Sequence, residues 1–292
     1  MTIRHFKIFI AVCDRMNMTA AAKTLYMSQS AVSQAIAELE RYYGIRLFER
    51  LSRKLYLTQA GEKLLSYARH MIRMSAEAET EMKTLNEKGS FRIGASVTVG
   101  AHVLPKLVSG YRQINKETEI EVVEDNTERI EKLILNDGID LALVEGETIS
   151  SDIVKQDFME DELILICSPA HRLAGVENIE PYELEKEKFI VREKGSGTRK
   201  LFEESMAAAG IIWSPAWTCS GADTIKAAVA EGLGISVISR LSVVNEIRSG
   251  QLLQATVKGM EFKRKFKVIY HKNKYLTGPM RHFIDICLPT VD

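Results

Sequence analysis

The sequence predicts an α/β protein with an all-α head: short helices in residues 1–61, one long helix in 62–89, and a body from 90 to 292 in which strands and helices alternate. Three observations predict it. Apolar residues recur at helical spacing from Phe6 to Leu39, a heptad seam runs from Leu64 to Leu85 without proline, and short β-rich runs alternate with helical ones after Gly89-Ser90. A chain of 292 residues that is 46% apolar has room for two or three domains and is not mainly disordered.

In the first helix Phe6, Ile8, Phe9, Ile10 and Cys13 share a face. Thr19 is the expected cap of a short Ala-rich second helix, Ala20 to Leu25, whose small side chains let a neighbour approach closely. Ser28 caps a third helix, Gln29 to about Tyr43, that buries Val32, Ile36 and Leu39 and ends at Gly44. Its outer face begins Gln29, Ser30, Ser33, Gln34: short hydrogen-bonding groups near a helix N-terminus, suited to base edges or to an ordinary solvated face. The alternation from Leu47 to Thr58 predicts a hairpin with Arg50, Arg53 and Lys54 near its tip, where phosphates could be met.

Zero net charge conceals an asymmetry. Residues 1–61 carry nine basic and four acidic side chains, so the head is +5 and the remainder −5. A basic head on an acidic body is the layout of a nucleic-acid-binding module attached to something else.

Thr58 is placed to cap the long helix, Gln59 to about Glu87. Leu64, Ala68, Met71, Ser75, Ala78, Met82 and Leu85 alternate steps of four and three along it. Such a helix spans about 39 Å, more than a small head can cover, so the seam predicts a partner helix. In the body, strands are expected at Phe91–Ala95, Glu119–Glu124, Leu141–Glu145, Leu163–Cys167, Phe189–Arg192, Ile235–Ser239 and Lys267–Tyr270. The intervening helices argue for mostly parallel sheets in two lobes, about 90–162 with 266–292 and about 163–265.

The run Thr19-Ala20-Ala21-Ala22-Lys23, then Met27-Ser28-Gln29-Ser30-Ala31-Val32-Ser33-Gln34, Gly44-x-x-Leu47-Phe48-Glu49-Arg50 and Leu57-Thr58-x-Ala60-Gly61 resembles the LysR-type transcriptional regulators. One departure is Ser30, where the family often has proline. The resemblance extends over the whole chain. It implies a winged helix-turn-helix head, a linker helix that dimerises, and a two-lobed effector domain like the periplasmic binding proteins. The implied partners are double-stranded promoter DNA, a small effector and further copies of the chain, as a homodimer assembling into a homotetramer, with RNA polymerase a further candidate. Carried over by position, Thr19, Ser28, Gln29, Ser30, Ser33 and Gln34 belong to the DNA-reading region, while Arg50, Arg53 and Lys54 are backbone contacts.

Two loops in the body suit an anion. Gly94-Ala95-Ser96-Val97-Thr98 and Glu193-Lys194-Gly195-Ser196-Gly197-Thr198-Arg199 each set small hydroxyl residues or glycines ahead of a helix, where free N–H groups favour negative charge. Each alone also reads as a well-capped turn. The family resemblance implies an effector site of Ser96, Thr98, Glu145, Gly195, Ser196, Thr198, Arg199 and Ser220. Asp125-Asn126-Thr127, Val144-Glu145-Gly146 and the Gly-Ser-Gly-Thr-Arg loop resemble the subgroup near regulators of sulfur assimilation. That implies a sulfur oxyanion such as sulfite, sulfate or thiosulfate, or a small carboxylate such as O-acetylserine.

Other classes fit poorly. Neither a Walker motif nor a dinucleotide fingerprint is present, and the sequence lacks a Ser-His-Asp elbow and convincing paired carboxylates, so no enzyme is expected. Cys13, Cys167, Cys219 and Cys287 are far apart and the six histidines lack metal-ligand spacing, so neither disulfides, metal nor cofactor is expected. With neither an apolar signal core nor a membrane span, a cytoplasmic protein is expected rather than an exported solute-binding protein.

Overall fold

The computed structural model describes residues 1–52, 54–83 and 89–288; Arg53 and Leu85 lie outside the described residues. The chain forms two compact units. In the first, α1 (Ile3–Arg15), α2 (Met18–Thr24) and α3 (Gln29–Tyr43) enclose a core that includes Phe6, Phe9, Val12, Ala21, Ile36 and Leu39. Ser28 caps α3 as expected, its Oγ accepting the Ala31 N–H at 3.2 Å, and Gly44 closes the helix with φ 67°. The cap of α2 is Asn17, not Thr19. Asn17 Oδ1 accepts the Ala20 N–H at 3.0 Å, so the helix starts at Met18 and Thr19 lies exposed in its first turn. Thr19 comes two residues after the cap, already inside the helix, so its hydroxyl cannot take the place of the Asn17 side chain on that N–H.

The hairpin follows as β1 (Phe48–Leu51) and β2 (Lys54–Leu57), paired antiparallel from Phe48↔Leu57 to Leu51↔Lys54. Glu40 of α3 ties down its root by accepting the Leu47 and Phe48 N–H groups at 2.8 and 3.2 Å. Thr58 caps α4 (Gln59–Lys83), its hydroxyl accepting the Gly61 N–H at 3.0 Å and donating to Arg46 O at 2.8 Å. The seam of α4 is not uniform. Leu64 and Ala68 are buried in the head's own core and Met71 packs against it, Ser75 is half-buried, and Ala78 and Met82 are exposed. The expectation that the whole seam faces a partner helix is therefore corrected, because α1 covers its first turns.

The second unit begins with β3 (Ser90–Ser96), α5 (Val97–His102), α6 (Leu104–Ile114), β4 (Glu119–Asp125), α7 (Thr127–Leu135) and β5 (Leu141–Glu145). Parallel pairing puts β3 between β4 and β5. The long β6 (Ile153–Cys167) leads to β7 (Lys188–Arg192), α8 (Gly197–Ala208), β8 (Ser214–Cys219), α9 (Ala222–Ala230), β9 (Ser236–Ser239), α10 (Val244–Ser249) and β10 (Leu253–Ala255). The chain returns through β11 (Phe262–His271) to α11 (Gly278–Cys287).

The sheets are mixed, not mostly parallel. β6 pairs antiparallel with β9, β10 and β11, and β11 with β5, whereas β7 and β8 pair in parallel. The departure comes from β6 and β11, which run past one another from Phe262↔Leu163 to His271↔Ile153 and join two hydrophobic cores. One core holds Phe91, Ile93, Tyr111 and Phe283; the other holds Leu165, Phe189, Phe202 and Met206. Strands β8 and β10 were not expected: Pro215 argues against a strand, and β10 has only three residues.

Candidate functional site

The head presents a concavity of about 690 Å³ between the start of α2, the start of α3 and the hairpin, lined by Thr19, Gln29, Arg50 and Lys54 together with Asn17 and Tyr56. Four residues expected at a DNA surface thus meet around one groove. Ser28 and Ser30 join at the N-terminus of α3, Oγ to Oγ at 3.0 Å. Ser33 is half-buried, and the Gln34 amide donates to Glu38 Oε1 at 3.0 Å, with Glu38 Oε2 2.8 Å from His5 Nε2. Gln34 is therefore held by its own helix. Asn17 and Tyr56 were missed because they lie on a cap and on a strand, outside the helix face from which base contacts are usually read.

In the second unit the end of β5 and the starts of α5 and α8 converge on the paired strands β6 and β11. Glu145, 1% exposed, is at the centre. Its N–H is accepted by Ser96 Oγ at 3.1 Å, its carbonyl accepts the Thr127 hydroxyl at 3.0 Å, and its carboxylate Oε1 accepts the Thr198 hydroxyl at 3.2 Å. Thr198 Oγ1 also accepts from Arg264 Nη1 at 3.0 Å. Arg264 Nε donates to Asp161 Oδ2 at 2.7 Å, and Asp161 Oδ1 accepts the Ser239 hydroxyl at 2.7 Å. Gly197 permits the contact: a Cβ there would lie 2.3 Å from Glu145 O, so the start of α8 approaches β5 only without a side chain.

Burial alone would raise the Glu145 carboxyl, but Arg264, then Thr98, Arg192 and Thr198, overcome it and hold the pKa below the ordinary range. His102, half-buried at the end of α5, is pushed down by burial and by the nearby Lys226 charge. Glu124 is pushed up by burial, opposed by Arg192.

Of the expected effector residues, Ser96, Thr98, Glu145 and Thr198 form this cluster. Gly195, Ser196 and Arg199 line a neighbouring pocket of about 270 Å³ with Thr127, Glu131 and Lys194. The Arg199 guanidinium is committed elsewhere: Nε donates to Glu203 at 2.7 Å, Nη1 donates to Arg192 O at 3.0 Å, and the group lies over the Trp213 ring. Ser220 is exposed at the turn into α9, and no hydrogen bond joins it to the cluster among the described residues. Arg264 and Asp161 were missed. In Phe262-Lys263-Arg264-Lys265-Phe266 the arginine shares the inward parity of two phenylalanines, a readable sign of a buried cation.

Family models match both units: the bacterial regulatory helix-turn-helix protein of the lysR family over residues 3–62, and the LysR substrate binding domain over 86–292. The chain belongs to the LysR family of transcriptional regulators. It is a DNA-binding regulator with an effector-binding domain. As a LysR regulator it is 31% identical over 289 residues to the uncharacterized HTH-type transcriptional regulator YeiE of Escherichia coli K12, covering 99% of this chain and 97% of that one. It is 31% identical over 266 residues to the regulator CysL of Bacillus subtilis, covering 90% and 89%. The regulatory domain of CcmR from Synechocystis PCC6803, solved in complex with 2-PG, superposes with a TM-score of 0.64 at 28% identity over 68% of this chain and 96% of that domain. LysR proteins of this kind are regulators, not enzymes. Among the described residues no helix is long and apolar enough to cross a membrane, and no group of His, Cys, Asp or Glu could hold a metal ion.

Proposed function

We propose that this LysR regulator reads promoter DNA sequence-specifically and is controlled by a small anionic metabolite held between the lobes of its second unit. The observation that carries the reading is the buried cluster of Ser96, Thr98, Glu145, Thr198 and Arg264, which draws groups from both lobes and from the hinge strands onto one point. A polar cluster at a lobe boundary is where a ligand can change lobe closure, since only differential affinity for two states shifts their balance. The Arg264 guanidinium and the N-terminus of α8 favour negative charge there. The resemblance to sulfur-assimilation regulators makes a sulfur oxyanion or related intermediate the first class to test. The CcmR domain's 2-PG supports a small metabolite without fixing its kind.

On DNA, Gln29, Ser30 and Ser33 are the candidate base contacts, with Thr19 and Ser28 at the groove edge and Arg50, Arg53 and Lys54 on phosphates. Paired heads would read half-sites about 34 Å apart or at multiples of that spacing. The exposed Ala78 and Met82 of α4, with the adjoining seam, are the candidate dimer contact, and pairs of dimers would form the tetramer. RNA polymerase would be the partner in activation, in a cytoplasmic setting.

A thermal-melt screen with sulfite, sulfate, thiosulfate and O-acetylserine, run beside Thr98→Ala, tests the effector reading. A bound effector at about 100 times its Kd stabilises the native state by about 2.7 kcal/mol. A shift with one compound that is lost in the variant supports the reading; shifts unaffected by Thr98→Ala count against the cluster as the site.

A further inference from the structure

The proposed effector cluster leaves two atoms with unmet bonding capacity. Thr198 is fully used, since its hydroxyl accepts from Arg264 Nη1 at 3.0 Å and donates to Glu145 Oε1 at 3.2 Å. Arg264 Nε is used by Asp161. Glu145 Oε2 is buried and has no donor in hydrogen-bonding geometry among the described residues, although the Thr98 hydroxyl also stabilises this carboxylate. Arg264 Nη2 is buried too: it lies 2.7 Å from Asp161 Oδ2 without the alignment of a hydrogen bond, and 3.5 Å from Glu145 Oε2. A buried acceptor and an under-used cationic donor therefore stand side by side, one at the end of β5 and one on β11.

A ligand that satisfies both must bring an acceptor for Nη2 and a hydrogen for Oε2. An oxyanion that keeps a proton supplies them on adjacent oxygens; a fully ionised one sets lone pairs against a buried carboxylate. We infer that Glu145 is a specificity-determining residue that restricts the effector to oxyanions carrying a hydrogen-bond donor, such as hydrogen sulfite or hydrogen phosphate, and rejects donor-less sulfate. This rests on the effector-site reading above. Because both atoms are closed over, the ligand enters when the lobes part and β6 and β11 flex. A site built around one obligatory hydrogen bond discriminates strongly against an analogue that cannot make it, since the loss leaves a buried polar group unpaired.

Isothermal titration of the full-length protein with sodium sulfite, sodium phosphate and sodium sulfate near neutral pH tests this. Wild type is expected to bind sulfite or phosphate at least about 100-fold more tightly than sulfate. Glu145→Gln, which offers an N–H in place of the carboxylate oxygen, is expected to bring sulfate within about tenfold of the protonated anion. Circular dichroism reports whether that variant folds; if it does not, the ratio in the wild type decides alone. If sulfate binds the wild type as tightly as sulfite and phosphate, and Thr98→Ala weakens all three, the cluster remains the anion site and the role of Glu145 is overturned. If none of the three binds, the anionic reading of the cluster fails and the inference falls with it.

Discussion

Asp161→Ala removes one member of a deeply buried ion pair in the second unit. The Asp161 and Arg264 side chains are 1% and 4% exposed, and Asp161 Oδ2 lies 2.7 Å from both Nε and Nη2 of the guanidinium. The variant leaves Arg264 buried beside Glu145, 3.5 Å away, and strands the Ser239 hydroxyl that had bonded Asp161 Oδ1 at 2.7 Å. Breaking a buried pair from one side costs about 3–5 kcal/mol, because the surviving charge is uncompensated. Glu145 supplies part of the missing counter-charge, which puts the loss near the lower end, about 3 kcal/mol. For a unit of roughly 200 residues each kcal/mol moves Tm by about 2–4 °C, so the expected drop is about 6–12 °C.

The assay is thermal unfolding of the purified protein by circular dichroism, with Arg240→Ala as the exposed control. Arg240 also meets a carboxylate, Glu162 Oε2 at 2.8 Å, but the two side chains are 49% and 45% exposed. Water and salt screen that pair, so its loss costs about 0–1 kcal/mol. A drop for Asp161→Ala no larger than for the control would refute the reasoning. A second variant separates charge from shape: Asp161→Asn keeps the side chain's size and one acceptor oxygen but removes its charge, and recovers little of the lost stability if the cost lies in the unpaired guanidinium.

Other tests address the remaining features. Gln29→Ala should relax sequence preference while sparing nonspecific DNA binding, whereas Lys54→Ala should weaken all sequences and reduce the salt slope by about one unit; filter binding on matched and mismatched operators at several salt concentrations distinguishes them. Met82→Glu should shift light scattering toward monomer with the helical spectrum intact, whereas Ala68→Glu buries a charge in the head and should unfold it; a Met82→Glu dimer as tight as wild type would remove α4 as the contact. Because the folded-state pKa of Glu145 is lowered, its contribution is fully present above the unfolded-state pKa and is lost as pH falls through the folded one. Urea unfolding should thus show wild type more stable than Glu145→Gln at neutral pH, with the gap narrowing as pH falls below the ordinary carboxylate range. A gap that widened on acidification would contradict the sign.

Much of this architecture was legible because the head's signals are local. Ser28, Gly44 and Thr58 each act within four residues along the chain, so their capping roles can be read without knowing what packs nearby. Thr19 misled for the same reason: Asn17 and Thr19 both suit a cap, and the choice depends on where α2 must start to lay Ala21 and Ala22 against the core. The seam of α4 shows a further limit. A heptad pattern states that a face is apolar and is silent on whether α1 or another copy covers it, so Leu64 and Ala68 read identically to Met82 although the head buries only the first two.

The buried polar cluster was half legible, and the missing half has one cause. Ser96, Thr98, Glu145 and Thr198 sit at strand ends or helix starts, where local sequence advertises free donors. Arg264 and Asp161 are cross-strand partners 103 residues apart, brought opposite only by the antiparallel register of β6 and β11. An expectation of parallel strands could not pair them. Gly197→Ala tests whether the two halves work as one unit, since its Cβ would press 2.3 Å from Glu145 O and force the start of α8 away from β5. Overpacking of this kind costs about 1–3 kcal/mol, a modest loss in Tm. The sharper expectation concerns coupling: moving α8 carries Thr198 away from both Glu145 and Arg264, so the effector-dependent melting shift should disappear even where the protein remains folded. A variant that melts earlier yet keeps the full shift would mean that the lobe contact at Gly197 is structural packing and that the ligand is held by groups on one lobe alone.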